Sequence, residues 1–257
     1  MSEKNRDGKR TARERLAVER EKQKAADKRR RTLIVGASIV CVLGLAAVIG
    51  VVAANAGKDK GTKAGPAVAP SGAQGKDSLA IPVGKDGAKS TLTVWEDFRC
   101  PACQAFEVAY RPTLHELTDA GKLRVEYHLV RLIDGNLGGT GSLRAANAAA
   151  CAQDAGKFRD YHDVLFANQP KETDDAFADN DKLIELAGKV KGLDTPAFGK
   201  CVKNGTHDGW VDKSHQAFKS GGFGGTPTVL LGGKNIYEDR TMTPAKLKQM
   251  VEAADRG

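Results

Sequence analysis

Trp95-Glu96-Asp97-Phe98-Arg99-Cys100-Pro101-Ala102-Cys103-Gln104-Ala105-Phe106 is the stretch whose reading decides the fold. Its two cysteines, separated by Pro101 and Ala102, follow the β-branched and aromatic run Thr91-Leu92-Thr93-Val94-Trp95 and precede a helical segment. A strand, a short loop and a helix that opens on Cys-x-x-Cys form the layout of a dithiol redox centre. At a helix N-terminus, unpaired backbone N–H groups and the positive end of the macrodipole favour a thiolate. Cysteines so placed have pKa values lowered to roughly 3.5–7.5, and the thiolate is the species that reacts. Pro101 fits the first helical turn, where its missing N–H costs nothing.

Upstream of this stretch the chain does not look globular. Residues 1–31 hold thirteen Lys/Arg and six Asp/Glu, so they carry +7 of the chain's formal +8. The basic character belongs to this tail, which has no aromatic residue and leads straight into an apolar run; nucleic-acid binding is therefore not expected. Leu33 to Ala54 contains no charge, and Lys28-Arg29-Arg30-Arg31 stands just before it. At a 1.5 Å rise those 22 residues reach about 33 Å, enough for a hydrocarbon core of roughly 30 Å. The expectation is one transmembrane helix over 32–54, with a basic tail (1–31) in the cytoplasm and the rest outside, by the positive-inside bias. The rival is a signal peptide cleaved at Ala54-Asn55-Ala56, but the run is longer than the 7–15 residues usual for one. Residues 55–78, rich in Gly, Ala, Pro and Lys, read as a flexible linker that cannot bury enough surface to fold.

Residues 79–257 alternate strand and helix patterns. Ile81-Pro82-Val83 and Ser90–Trp95 suit a hairpin or two neighbouring strands. Phe106, Tyr110 and Leu114 lie four apart on a helix that Pro112 should kink or divide. Leu123–Val130 alternates as a strand, and Asp134–Thr140, five of seven residues Gly, Asn or Asp, reads as loop. A helical insertion over about 141–220 follows. One of its faces is Leu143, Ala146, Asn147, Ala150 and Cys151, and another is Leu183, Leu186, Ala187 and Val190, with Asn180 or Asp181 as N-cap. Thr226–Leu231 returns to strand, and a last helix starts at Thr243-Pro244 with Leu247, Met250, Val251 and Ala254 inward.

Taken together, Phe98-x-Cys100-Pro101-Ala102-Cys103 after a strand and Gly225-Thr226-Pro227-Thr228 before a late strand resemble the DsbA-like thioredoxin-fold thiol–disulfide oxidoreductases. The resemblance covers about residues 80–255. It implies an α/β thioredoxin fold carrying an inserted helical domain. It further implies that Cys100 is the exposed nucleophile and Cys103 the partner that resolves mixed disulfides, with Pro227 as a cis-proline beside the dithiol and Thr226 next to substrate. Its implied partners are exported proteins with thiols and a membrane redox partner, quinone-linked, that restores the disulfide. The sequence departs from the best-known pattern in having Pro-Ala, not Pro-His, between the cysteines. No imidazole there can donate to the thiolate, which makes for a weaker oxidant and leaves reductase or isomerase chemistry as the alternative. A tethered peptide-binding domain is the reading from another class, though a binder needs neither cysteine. Glu96 and Asp97 suit proton transfer to Cys103 and solvated loop charges equally.

Cys41 lies within the apolar run, and the other four cysteines lie beyond it. Four cysteines allow three pairings. Cys100 with Cys103 leaves Cys151 with Cys201, one in each of two helical segments, as a structural disulfide. No metal is expected: structural zinc needs a second Cys/His pair at short spacing, while His162, His207 and His215 stand isolated. No cofactor is expected either, since no glycine-rich phosphate loop with its Lys is present.

Overall fold

The computed structural model describes residues 66–256. The tail, the expected span at 32–54 and the linker up to residue 65 lie outside these residues. Among the described residues no helix is long and apolar enough to cross a membrane. Strand β1 (Ile81–Val83) is followed by β2 (Ser90–Glu96), helix α1 (Pro101–Asp119) and β3 (Leu123–Leu129). Then come α2 (Leu132–Leu137), α3 (Gly141–Asp154), α4 (Phe158–Ala167), α5 (Asn180–Ala187), α6 (Pro196–Asn204) and α7 (Asp208–Ser220). The chain closes with β4 (Thr228–Leu231), β5 (Lys234–Asn235) and α8 (Pro244–Arg256).

The sheet order is β1-β3-β2-β4-β5. β2 is parallel to β3, Val94 opposite Tyr127, and antiparallel to β4, Val94 also opposite Val229. β2 is thereby the central strand, both of its edges paired, and its Leu92 and Val94 are fully buried. β1 and β2 are consequently neither a hairpin nor neighbours. The β2–α1–β3 crossover claims that edge of β2, and β1 pairs with the far side of β3, Ile81 opposite Tyr127. The turn after β1 passes so close beneath β3 that a Cβ on Gly84 (φ 108°) would sit 2.6 Å from the Leu123 carbonyl oxygen. Only glycine fits there.

Four local expectations are corrected. Helix α1 runs unbroken through Pro112. Pro112 and Val108 both face solvent, so water can take the Val108 carbonyl that loses its intrahelical donor. The Gly/Asn/Asp-rich stretch contains α2 rather than loop alone, closed at Gly138 in the left-handed region. Asp179, rather than Asn180 or Asp181, caps α5 by accepting from the Asp181 N–H. In α8, Leu247 and Val251 are buried but Met250 is 37 % exposed and Ala254 faces water.

The linker also ends earlier than Ser78. Residues 66–78 lie on the domain: Ser71 N donates to Asp154 Oδ1 (2.7 Å), Gln153 Nε2 to the Ser71 carbonyl (2.8 Å) and Trp210 Nε1 to the Ser78 carbonyl (2.7 Å). Composition could not show this, because most of these bonds use the backbone of the strap, whatever its side chains.

The helical insertion is built round α3. Its Ala145, Ala146 and Ala148–Ala150 are fully buried, and such small side chains let α4, α6 and α7 pack closely on it. Cys151 of α3 and Cys201 of α6 form a disulfide with Cα atoms 5.9 Å apart across a separation of 50 residues. Replacing both by Ser should cost about 4 kcal/mol and lower the melting temperature by roughly 10 °C, since the cross-link restricts the unfolded chain. Thermal melts of the two proteins check this; coincident melts would deny the cystine a structural role.

Candidate active site

β2 and α1 meet at the dithiol. The strand ends at Glu96, a three-residue loop turns the chain, and Cys100 stands as N-cap of α1 with Pro101 in the first turn. Both cysteines are thiols. Cys103 is wholly buried and Cys100 keeps only a 6 % window to solvent, so the expected exposed nucleophile is a thiol in a narrow opening.

The two thiols are electrostatically unlike. The Cys100 thiol is lowered to about 6, foremost by the hydrogen bond from Cys103; burial opposes this, and Thr226 and the backbone N–H groups of Cys103 and Ala102 add to it. A thiol of that acidity is roughly nine-tenths ionised at pH 7. Burial pushes Cys103 well above the usual thiol range, and the neighbouring Cys100 and Glu96 push it further. The helix N-terminus and the second thiol thus supply the stabilisation that an imidazole between the cysteines would otherwise give.

The loop before β4 forms the opposite wall. The Thr226–Pro227 peptide bond is cis. The Cys100 sulfur lies 3.2 Å from the Thr226 carbonyl oxygen, to which the protonated thiol donates, while the Thr226 hydroxyl is buried with no partner of its own. The structure therefore brings Cys100, Cys103, Thr226 and Pro227 together, and holds Cys151 and Cys201 apart in the helical insertion. Beside the dithiol, Phe106, Tyr110, Val229, Ile236, Tyr237 and Met242 line a cleft of about 400 Å³. Tyr237 is 43 % exposed at its rim.

Glu96 and Asp97 are both fully buried, which removes the solvated-charge reading. Asp97 accepts from the Arg99 and Ile133 N–H groups, each at 2.8 Å. Burial raises it to about 7 against those two bonds. Glu96 Oε1 meets His162 Nε2 at 2.7 Å. Glu107, one helical turn past Cys103, completes a cluster with ligand atoms all within 4.8 Å of one another. Glu96 Oε2 and Glu107 Oε1 are buried with no hydrogen-bond partner. Burial lifts Glu107 to about 8. His162, although burial pulls it down, is raised to about 10 by Glu96 and Asp163. Asp163 in turn bonds Arg111 (3.0 Å) and His115 (3.2 Å) nearer the surface.

Sequence reasoning missed Glu107 and His162. The available signal was spacing: Glu107 lies four residues after Cys103, and His162 shares a helical face with Phe158, Leu165 and Phe166. As to metals, Glu96, Glu107 and His162 converge as donors, with His162 Nε2 already bonded to Glu96 Oε1. Cys151, Cys201 and His207 also converge, but both sulfurs are in the disulfide.

A thioredoxin sheet with a helical insertion, an acidic N-cap thiol, a buried partner thiol and an X-Pro wall defines a DsbA-like thiol–disulfide oxidoreductase. The chain belongs to the thioredoxin family: the family model described as Thioredoxin matches residues 77–253. The reduced disulfide bond oxidoreductase DsbG of Mycobacterium tuberculosis superimposes with a TM-score of 0.60 at 30 % identity, over 69 % of this chain and 88 % of that one. Oxidised DsbA of the same organism gives 0.59 at 31 %, over 68 % and 92 %. The probable disulfide bond formation protein D of Bacillus cereus is 28 % identical over 160 residues, 61 % of this chain and 72 % of the relative.

Proposed function

We propose that this oxidoreductase introduces disulfides into exported proteins through Cys100 and Cys103, from a domain held outside the cytoplasm by a membrane span at 32–54. The observation that carries the reading is the asymmetry of the two thiols, one acidic and reachable, the other buried and protonated. In the oxidised protein, a substrate thiolate attacks Cys100 Sγ; the Cys100–Cys103 bond breaks and Cys103 leaves as a thiolate. Cys103 then takes a proton, with Glu107, an acid that burial keeps protonated, one helical turn along α1. A second substrate thiolate attacks its own sulfur in the mixed disulfide and expels Cys100 as the stabilised thiolate. Substrate dithiol and protein disulfide become substrate disulfide and protein dithiol, so a disulfide-bearing membrane partner must then reoxidise the protein. The Thr226 backbone suits an extended substrate strand, and the cleft, largely apolar but also lined by Asp239 and Arg240, suits one of its side chains. Cys151–Cys201 plays no part in the exchange.

The test is the reduction potential of the purified domain, with oxidative refolding of a reduced, disulfide-dependent protein and Cys100→Ala as control. A potential well above the −270 mV or so of thioredoxin, with refolding that needs Cys100, is the expected result. A potential at or below that value with net disulfide reduction would reverse the direction, and no thiol exchange would leave only the binding domain. For the anchor, an intact mass from the membrane fraction beginning near residue 57 would replace the span with a cleaved signal.

A further inference from the structure

The loop between β2 and α1 is held from outside the thioredoxin sheet. Arg99 adjoins Cys100, yet its side chain is only 2 % exposed. Its Nη1 donates to Asp134 Oδ1 (2.7 Å) and the Gly138 carbonyl (2.9 Å), and its Nη2 to the Glu172 carbonyl (3.1 Å). Asp175 Oδ1 lies 2.8 Å from Nη1. Both carboxylates also cap the start of α3: Asp134 takes the N–H groups of Ser142 and Leu143, and Asp175 those of Thr140 and Gly141. On the loop's other side, Gln169 Nε2 donates to the Phe98 carbonyl at 2.8 Å and to the Cys100 carbonyl at 3.0 Å. One turn into α1, Gln104 Nε2 reaches the Phe166 carbonyl at 2.9 Å. The fit is close: a Cβ on Gly141 would stand 2.5 Å from Asp175 Oδ1 and 3.1 Å from Arg99 Cδ.

From these contacts we infer that Gln169 and Arg99 are positioning residues of the dithiol, through which the helical insertion fixes the backbone at Cys100. Two backbone carbonyls bonded to one amide, and a guanidinium whose Nη1 meets two carboxylates and a carbonyl while its Nη2 takes a second carbonyl, hold a loop far more narrowly than point contacts do. What they hold is the N-cap of α1, where the Cys100 sulfur must keep its distance to the Ala102 and Cys103 N–H groups and to Thr226. The insertion is thus part of the redox site's geometry, and neither residue touches the reacting sulfurs.

The inference rests on Cys100 being the reacting thiol, and the experiment separates the two. The full-length protein, reduced only at the dithiol, is labelled with iodoacetamide across pH 4–9 as wild type, Cys100→Ser, Gln169→Met and Arg99→Lys. Methionine keeps the bulk of Gln169 without its donors; lysine keeps the charge of Arg99 without the fork. In Gln169→Met the pH of half-maximal labelling should rise by about half a unit to one unit, and labelling at pH 6 should fall about two- to fivefold. Arg99→Lys should shift in the same direction. A lowered melting temperature with an unchanged half-labelling pH in both variants would reduce the clamp to a structural contact. Wild-type labelling that survives Cys100→Ser would instead sink the role of Cys100.

Discussion

Cys103→Ala protein offered glutathione disulfide is expected to take up one glutathione at Cys100 and to keep it. In the wild type, Cys100 thiolate attacks the disulfide and one glutathione thiolate leaves. Cys103 then attacks Cys100 Sγ, the bond to the bound glutathione breaks, and the second glutathione departs with the Cys103 proton. The Cys100 sulfur is already hydrogen-bonded by the Cys103 thiol, so this step is intramolecular between groups in contact. Effective molarities for such geometry are very large, and losing Cys103 should slow release by at least about a thousandfold. The Ala variant should show the adduct by mass, sluggish release by added thiol, and no turnover. Cys100→Ala should give no adduct at all, because Cys103 is buried and protonated. An adduct that forms on Cys103 as fast as on Cys100 would overturn the assignment of roles.

The dithiol was legible in the sequence because everything that defines it is local: a strand, a loop and a helix start within twelve residues. Thr226-Pro227 was legible for a similar reason, since a proline at a strand's entrance is a short-range signal. The surroundings were not. Arg99 finds its partners 35 to 76 residues along the chain, and Gln169 reaches back 69 and 71 residues. No pattern in either neighbourhood announces these pairings. Sequence alone leaves Glu96 open between proton transfer and a solvated loop charge, because it follows Trp95 at a strand's end. Its burial is decided by α4, whose His162 bonds it and carries Phe158 and Phe166 packed against the ring. The strand β1 was placed beside β2 because nearness in sequence is the only guide before the crossover is known. In each case a local reading failed where a long-range contact set the outcome.

That buried cluster leads to an effect on the whole fold: the oxidised protein should lose stability steadily as pH rises from about 6.5 to 9. Glu107 and Asp97 are raised by burial to about 8 and about 7, from ordinary values of 4.5 and 3.8. His162, which burial alone would lower, is raised from 6.5 to about 10 by Glu96 and Asp163. A group whose folded pKa lies above its unfolded one contributes stability that is complete below the unfolded value. That stability is lost as pH climbs through the folded value. All three groups therefore act in one direction over this window. Below 6.5 the slope should level off, because His128 and His215, lowered by burial to about 4, lose stability as pH falls while Glu107 and Asp97 still gain it. In the alkaline limit Glu107 and Asp97 would be buried anions and His162 would be neutral. The loss by pH 9 should be on the order of several kcal/mol. Reduction adds an opposing contribution, because Cys100, lowered from 9.0 to about 6, gives stability that grows as pH rises across the same range. Urea midpoints of oxidised and reduced protein, measured from pH 5 to 9, should therefore diverge, the oxidised curve falling more steeply. Glu107→Gln cannot ionise and should flatten the oxidised curve. An oxidised midpoint that stays level or rises above pH 6.5 would show that Glu107 and His162 do not carry their protons in the folded state.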